Sequence, residues 1–394
     1  MASSVRLSPL QVDLLNLVRA GAAQLVLLGH ALPYYLHVPL DAQGRPATMG
    51  VLIFFLLSGF LICSSVAQKW DRSDYRLEHF LIDRFCRIFV AFVPALVFVA
   101  GVDAVLRTHP GYPFQSDYSA GTWLGNLAML QDYPVFQVLR RLGFPEEPWF
   151  IRPFGSGRPF WTVSIEWWIY LSFGCAAFLV LRRRRVGVPS LLALAAISVV
   201  PIYNAMGGVG DCLTFVWTFG ALFALLQNWL SKQPDPEDAA ARTRAIRVLC
   251  LFCIALCGLM LAGRVTVTGF RVYDLQSAVF IGGILFGCFF LAGTLNFILP
   301  RPARRALDFC ANYSYSLYLT HFTVLTGFIL YVPSATHRDA PLFVAIFAAA
   351  NLIAVMFWWA FERHYRAAAR LAKQALDRRR SRAASEAWAS VAQP

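Results

Sequence analysis

Long apolar segments alternate with short polar segments along almost the whole chain. About 20 consecutive apolar residues are needed to cross the hydrocarbon core of a bilayer, and this criterion predicts ten spans. They are residues 11–36, 49–68, 86–106, 161–181, 189–204, 213–230, 248–263, 275–299, 307–331 and 341–361. The pattern therefore predicts an all-α integral membrane protein, in which about ten transmembrane helices form one bundle with a long extracytoplasmic loop between spans 3 and 4.

Composition and charge support this class. Of the 394 residues, 58% are hydrophobic and 14% are charged, with a mean hydropathy of +0.55, which exceeds what the core of a soluble domain requires. If both termini are cytoplasmic, 25 Lys and Arg residues lie in inside segments and nine in outside segments, as the positive-inside rule expects. These cations suit topology and anionic lipid. We therefore expect a lipid bilayer as partner and no nucleic acid, despite the net charge of +13.

The chain divides into three parts. We expect a cytoplasmic N-terminal segment at 1–10, a membrane domain at 11–366 and a basic cytoplasmic tail at 367–394, which begins as an Ala/Arg-rich helix and ends disordered. The outside loop 107–160 is rich in proline, glycine and aromatic residues, and its segment 121–131 could form a short interfacial helix. Its aromatic side chains suit sugar rings, and an ordinary interfacial aromatic belt explains them equally well.

Two ionisable residues, Arg19 and His30, lie inside the first apolar segment. On a straight helix they differ by about 20° and stand roughly 16 Å apart along one stripe. Such residues usually face a bundle interior or a wet cavity and mark a functional site. A neutral imidazole in an apolar pocket is a reasonable general base.

Other polar residues recur in later spans. Glu166 lies near the outer end of the fourth span, at a depth comparable with His30, where it could orient the imidazole or simply pair for packing. Arg84 and Arg87 begin the third span and suit either a phosphate-bearing ligand or lipid headgroups. The ninth span presents one polar face, which should line a cavity or bond a neighbouring helix; it comprises Ser314, Tyr318 and His321.

Three cysteines, Cys250, Cys253 and Cys257, superficially suggest a metal cluster. They lie on one apolar helix without supporting histidines or carboxylates, so we interpret them as small core residues. We expect no metal site and no permanently bound cofactor.

Six motifs carry a resemblance in this order: LNLVRAGAAQLVLLGH, GVLIFFLLSGFLI, RFCR, WTVSIEWWIYL, SYSLYLTH and WAFERH. The chain is similar to membrane acyltransferase family 3, the bacterial O-acyltransferases of surface polysaccharides and related acceptors, over about residues 10–366. Three positions depart from the family pattern: Asn16 replaces a common aspartate, Trp167 replaces a second acid, and His364 replaces a proline. The family's extra extracytoplasmic domain is not seen in this chain, which resembles the stand-alone form.

The resemblance implies a multi-pass enzyme of the bacterial inner membrane that uses acetyl-CoA or another acyl-CoA as donor substrate. It implies that His30 is the essential histidine and that Arg84 and Arg87 belong to the acyl-CoA side. We expect His30, oriented by Glu166, to be catalytic, and Arg19 to help bind the donor. Further cavity candidates are Asn16, Ser58, Ser164, Ser314, Tyr318 and His321.

The acceptor would be a glycan or a glycosylated small molecule on the outer side. Direct transfer and a covalent acyl-histidine both remain open. The alternative hypothesis is a proton-coupled secondary transporter, with Arg19, His30 and Glu166 as a proton relay.

Overall fold

The computed structural model describes residues 7–35, 45–131, 133–144, 150–182, 187–208, 210–233, 239–268, 273–332 and 340–391. Within these ranges the chain is helical without any strand, which confirms the all-α class. The helices are α1 (Pro9–Tyr35), α2 (Arg45–Ala67), α3 (Leu77–Leu106), α4 (Ala120–Leu127), α5 (Pro134–Arg141), α6 (Phe160–Cys175), α7 (Val188–Ile197), α8 (Val199–Ala205), α9 (Leu213–Leu230), α10 (Ala239–Gly263), α11 (Leu275–Gly293), α12 (Arg301–Asn312), α13 (Ser314–Tyr331), α14 (Ala340–Ala360) and α15 (Tyr365–Val391). Helices α6 and α10 continue as π-helical segments over Ala176–Leu181 and Arg264–Thr268.

The number of spans is lower than the ten expected. Within the described ranges eight helices are long and apolar enough to cross a membrane, or nine if α7 and α8 form one bent span. These two helices meet at an angle of 52°, because Pro201 lacks the N–H group that would bond the backbone oxygen of Ile197. The expected span 307–331 corresponds to α13, which begins only at Ser314 and carries too many polar side chains to qualify. Most of those side chains are buried inside the bundle.

Glycines allow α2 and α9 to cross at close range. A Cβ atom added at Gly59 would collide with the backbone oxygen of Trp217, and one added at Gly220 would collide with that of Leu56. Small residues at a crossing let two helix backbones approach in this way. The crossing also places the Trp217 indole beside Ser58, to which its Nε1 donates at 3.1 Å.

The long loop between α3 and α6 folds back onto the bundle. It contains α4 within the segment where a short helix was expected, while its residues 132 and 145–149 lie outside the described ranges. The backbone oxygen of Met129 accepts hydrogen bonds from Ser164 Oγ at 2.7 Å and from Trp168 Nε1 at 2.8 Å. Asp103, at the end of α3, accepts from the backbone N–H and the hydroxyl of Ser156, both at 2.7 Å. These bonds fix the loop over one end of the bundle.

The C-terminal segment begins as a helix, as the sequence predicts, and the helix continues to Val391, while residues 392–394 lie outside the described ranges. It forms α15, a 27-residue helix that packs along the first turns of α3. Lys373 bonds Asp83 at 2.7 Å and Arg380 bonds Glu78 at 2.7 Å. The basic side chains of α15 therefore dock this helix on α3. The first turn of α15 reaches the candidate site.

Candidate active site

A cavity of about 460 Å³ opens among α1, α2, α3, α6 and α13, and the first turn of α15 also lines it. Its lining includes four arginines and a single carboxylate, that of Glu166. The arginines are Arg19, Arg84, Arg87 and Arg366. The remainder of the wall is largely apolar and aromatic. A cationic recess of this kind suits an anionic ligand with an apolar or neutral arm.

Arg84 and Arg19 have charges that the described protein does not pair. The Nε atom of Arg84 is buried without a hydrogen-bond partner among the described residues, and its guanidinium lies 5.8 Å from the centroid of the Phe80 ring. Likewise, the Arg19 guanidinium makes no hydrogen bond or ion pair with another described residue. Both side chains are half-buried, and a cation withdrawn from water without a partner costs free energy, so both are poised to bind an anion that enters the cavity.

Arg87 lines the same cavity, but its charge is already paired. Its Nη1 donates to Glu362 Oε1 at 2.6 Å. Glu362 is only 2% exposed, and its second oxygen accepts from the N–H and the hydroxyl of Ser316 at 3.0 and 2.7 Å. The rings of Tyr315 and Tyr365 flank the guanidinium, with centroids 5.2 and 4.9 Å away. Arg87 thus joins three helical segments as well as facing the ligand space.

Glu166 is held by a chain of hydrogen bonds within this cavity. Trp217 donates to Ser58, which lies 2.9 Å from the Tyr170 hydroxyl. Tyr170 in turn donates to Glu166 Oε1. Because an indole N–H can only donate and a carboxylate can only accept, the direction of every bond in the chain is fixed. The chain anchors one carboxylate oxygen on the cavity wall.

His30 is not bonded to Glu166, which corrects the expected orienting role of that carboxylate. Instead, His30 Nδ1 lies 3.0 Å from His321 Nε2. The two imidazole rings are nearly parallel, at 14°, with centroids 5.2 Å apart, and the Phe322 ring is close to perpendicular to that of His30, with centroids 5.3 Å apart. Sequence spacing could not show this pairing, because His30 and His321 lie on different helices.

Tyr318 connects the two parts of the site. It lines the cavity, and its ring centroid is 6.1 Å from that of His321 and 5.8 Å from that of Phe54. Its hydroxyl bonds Thr162 and donates to the backbone oxygen of Pro159 at 3.3 Å. The two histidines are not among the lining residues. Tyr318 therefore lies between the cavity, which it lines, and the imidazole pair, which it contacts through His321.

The remaining candidates occupy different places. Asn16 and Ser314 line the cavity as expected, where Asn16 Nδ2 donates to Asp308 at 2.7 Å. Ser164 is buried elsewhere and donates to the long loop, so its role is structural. Sequence analysis missed Glu362; the only signal for it is a charged residue at the end of an apolar segment, in the motif WAFERH.

The long loop covers the imidazole side of the site. Phe114 lies with its ring centroid 6.3 Å from that of Phe322, and the hydroxyls of Ser156 and Thr323 are hydrogen-bonded at 2.8 Å. Arg158 lies over the Phe114 ring at 5.0 Å and pairs with Asp117 at 2.7 Å. A ligand that approaches His30 from the loop would therefore meet aromatic and hydrogen-bonding groups.

Comparison with known families decides between the two functional classes. A profile of acyltransferase family 3, described as an acyltransferase domain, matches residues 12–359. The chain belongs to this acyltransferase family. No curated protein and no solved structure matches the chain. As a family 3 acyltransferase the protein is a multi-pass membrane enzyme that acts on an acyl donor and an acceptor, which disfavours the transporter hypothesis.

Proposed function

We propose that this protein is an inner-membrane O-acyltransferase that moves an acetyl group from acetyl-CoA to a hydroxyl of a glycan or a glycosylated small molecule. One observation carries the proposal: a cationic cavity with two unpaired arginines shares Tyr318 with the hydrogen-bonded imidazole pair of His30 and His321. CoA carries phosphates at one end and a thioester at the other. The cavity offers cations at one end and His30 lies beyond the other.

The donor would enter from the cytoplasmic side. Arg84 and Arg19 are the groups without internal partners, so they would take the phosphates by charge-assisted hydrogen bonds. Arg87 would add to the field of the cavity while staying paired with Glu362. The neutral pantetheine arm would then run along the apolar wall past Tyr318. Helical rise separates Arg19 from His30 by about 16 Å along α1, so the phosphate-binding and reacting groups occupy distinct depths.

The acceptor would approach from the side covered by the long loop. His30 would take the proton of the acceptor hydroxyl as its oxygen attacks the thioester carbon. The carbon–sulfur bond then breaks, and the proton held by His30 passes to the leaving thiolate, so that the products are the ester and free CoA. General-base assistance of this kind contributes about 10²–10⁴ in rate.

Purified protein in vesicles tests the proposal. Radiolabelled acetyl-CoA is supplied on one membrane face, with a membrane extract of the source cells as acceptor pool, and label in glycan and small-molecule fractions is counted. Wild type should transfer label, and His30→Ala should lose about 10²–10⁴ of the rate while it still binds CoA. Transfer by His30→Ala within tenfold of wild type would remove His30 as the base. An absence of both transfer and thioester cleavage by wild type would refute the proposed donor.

A further inference from the structure

The hydrogen bonds of His321 define where its ring proton lies. Its Nδ1 is 3.0 Å from the backbone oxygen of Leu317 and 2.9 Å from that of Tyr318. A carbonyl oxygen can only accept a hydrogen bond, so Nδ1 must carry the proton. In a neutral ring the other nitrogen, Nε2, is then an acceptor. The fully buried ring has no acidic side chain among its described contacts, so the neutral form is the one this site accommodates.

The protonation of His321 determines the tautomer of His30. Its Nδ1 lies 3.0 Å from His321 Nε2, and an acceptor at that position requires a donor opposite it. The proton of His30 therefore belongs on Nδ1, and its Nε2 carries the free lone pair. The polar contact that the structure describes for His30 is this one bond. Among the described residues His30 also contacts the Phe322 ring, which offers no lone pair to accept a hydrogen bond from Nε2.

We propose that His321 is a positioning residue that fixes the tautomer of His30, so that Nε2 of His30 is the base of the acyl transfer. The inference rests on the proposed function for its catalytic part, whereas the tautomer itself is a property of the resting protein. The acceptor hydroxyl gives its proton to His30 Nε2 as its oxygen bonds the thioester carbon. The resulting imidazolium keeps its Nδ1–H bond to His321, and the Nε2 proton then moves to the departing CoA thiolate.

The pairing also explains how His30 can become charged without a carboxylate beside it. A lone pair on His321 Nε2 faces the Nδ1–H of His30, and a hydrogen bond to a charged donor is about twice as strong as a neutral one. The backbone carbonyls of Leu317 and Tyr318 hold the His321 ring from behind. The backbone of α13 thus orients both rings. In Ser-His-Asp triads a carboxylate orients the histidine in the same way.

Nitrogen NMR of ¹⁵N-histidine-labelled protein in lipid tests the tautomer without any ligand. The ¹⁵N shift distinguishes a protonated from an unprotonated ring nitrogen, and the His30→Gln variant identifies the His30 signals among the seven histidines of the chain. We expect His30 Nδ1 protonated and Nε2 unprotonated. In His321→Phe the His30 signals should shift towards a mixture of both tautomers, while signals of the other histidines stay in place. A wild-type His30 with the proton on Nε2 would overturn the inference.

Kinetics supply the second readout. Release of CoA thiol from acetyl-CoA in the presence of the native membrane extract should fall at least about tenfold in His321→Phe, and by no more than the 10²–10⁴ expected for His30→Ala. The loss should appear in kcat with KM for acetyl-CoA nearly unchanged, because His321 lies outside the donor cavity. His321→Gln, whose amide oxygen can accept from His30 Nδ1, should recover part of kcat.

The outcomes separate the two proposals. If the tautomer is as expected but wild type neither transfers acetyl nor cleaves the thioester, the proposed function fails and the pairing stands. If His30→Ala transfers acetyl normally, His30 is not the base and the positioning role of His321 fails with it, while the acyl-transfer function stands. If His30 is essential but His321→Phe retains wild-type kcat, the positioning role fails and the function stands. Should His321→Phe prove unstable, the wild-type spectrum still decides the tautomer.

Discussion

Arg84 and Arg87 lie three residues apart and line one cavity, but their surroundings predict opposite consequences of truncation. Arg87→Ala removes the partner of a carboxylate, Glu362, that is 2% exposed. Arg84→Ala removes a guanidinium that forms no ion pair with a described residue. We expect the first variant to lose stability and the second to lose donor affinity.

The magnitudes follow from burial. Removing one partner of a buried ion pair costs about 3–5 kcal/mol. Arg87 keeps 21% of its side chain exposed, and Ser316 still donates two hydrogen bonds to the orphaned carboxylate, so the low end, about 3 kcal/mol, applies. That loss raises the unfolded fraction by roughly 10²-fold. Arg84→Ala should leave stability within about 0.5 kcal/mol.

Donor affinity should respond in the reverse order. One charge-assisted hydrogen bond to a phosphate contributes about 1.5–3 kcal/mol, so Arg84→Ala should weaken CoA binding about 10- to 100-fold. In Arg87→Ala the ligand loses a cation whose charge Glu362 already compensates, and the folded fraction should bind CoA with a smaller penalty. Even Arg84→Lys should be costly if the phosphate contacts are bidentate.

Thermal denaturation in detergent and calorimetric titration with CoA measure the two quantities on the same samples. The double variant Arg87→Ala/Glu362→Gln is the matched control, because the amide removes the uncompensated charge and still accepts from Ser316. It should recover much of the stability lost by Arg87→Ala alone. An Arg87→Ala protein as stable as wild type, with CoA binding impaired as strongly as in Arg84→Ala, would refute the argument.

Two further predictions concern other parts of the molecule. Glu166→Gln should reduce acetyl transfer less than His30→Ala, because the amide oxygen still accepts from Tyr170 and the change lies outside the imidazole pair; equal losses in the labelled-acetyl assay would contradict this. Gly59→Ala should destabilise the α2 and α9 crossing by about 1–3 kcal/mol, whereas Gly258→Ala, whose added Cβ meets no atom within 4 Å, should leave the thermal transition in detergent unchanged.

Periodicity along single helices could be predicted well from the sequence. Arg19 and His30 share one continuous helix, so their spacing alone determines their relative position. The same holds for Ser314, Tyr318 and His321 on α13. What these residues face could not be derived, because contacts between helices depend on crossings such as that of Gly59 with Trp217. Glu166 was the expected partner of His30 because both lie at a comparable depth in the membrane. Depth alone does not specify where a side chain lies around the bundle.

The C-terminal helix shows a different limit of sequence reasoning. Its composition is that of a soluble, basic segment, and nothing in such a pattern reveals the acidic residues that will receive it. Those residues, Glu78 and Asp83, lie on α3 almost 300 positions earlier in the chain. The ion pairs dock α15 on α3, and the first two residues of α15, Tyr365 and Arg366, line the cavity.

The separation of charge along α1 has a consequence for how the enzyme would use its donor. The arginines that face the cavity gather at one end, and the neutral imidazole pair lies beyond Tyr318 at the other. With acetyl-CoA as donor, binding energy from the phosphates would therefore be gained far from the reacting carbon. Remote binding energy of this kind raises the rate when it holds the reacting atoms in place, and truncated substrates then lose kcat as well as affinity. A short acetyl thioester without the nucleotide would fit the apolar wall but would lack this anchor, so it should remain a poor donor even at saturating concentration.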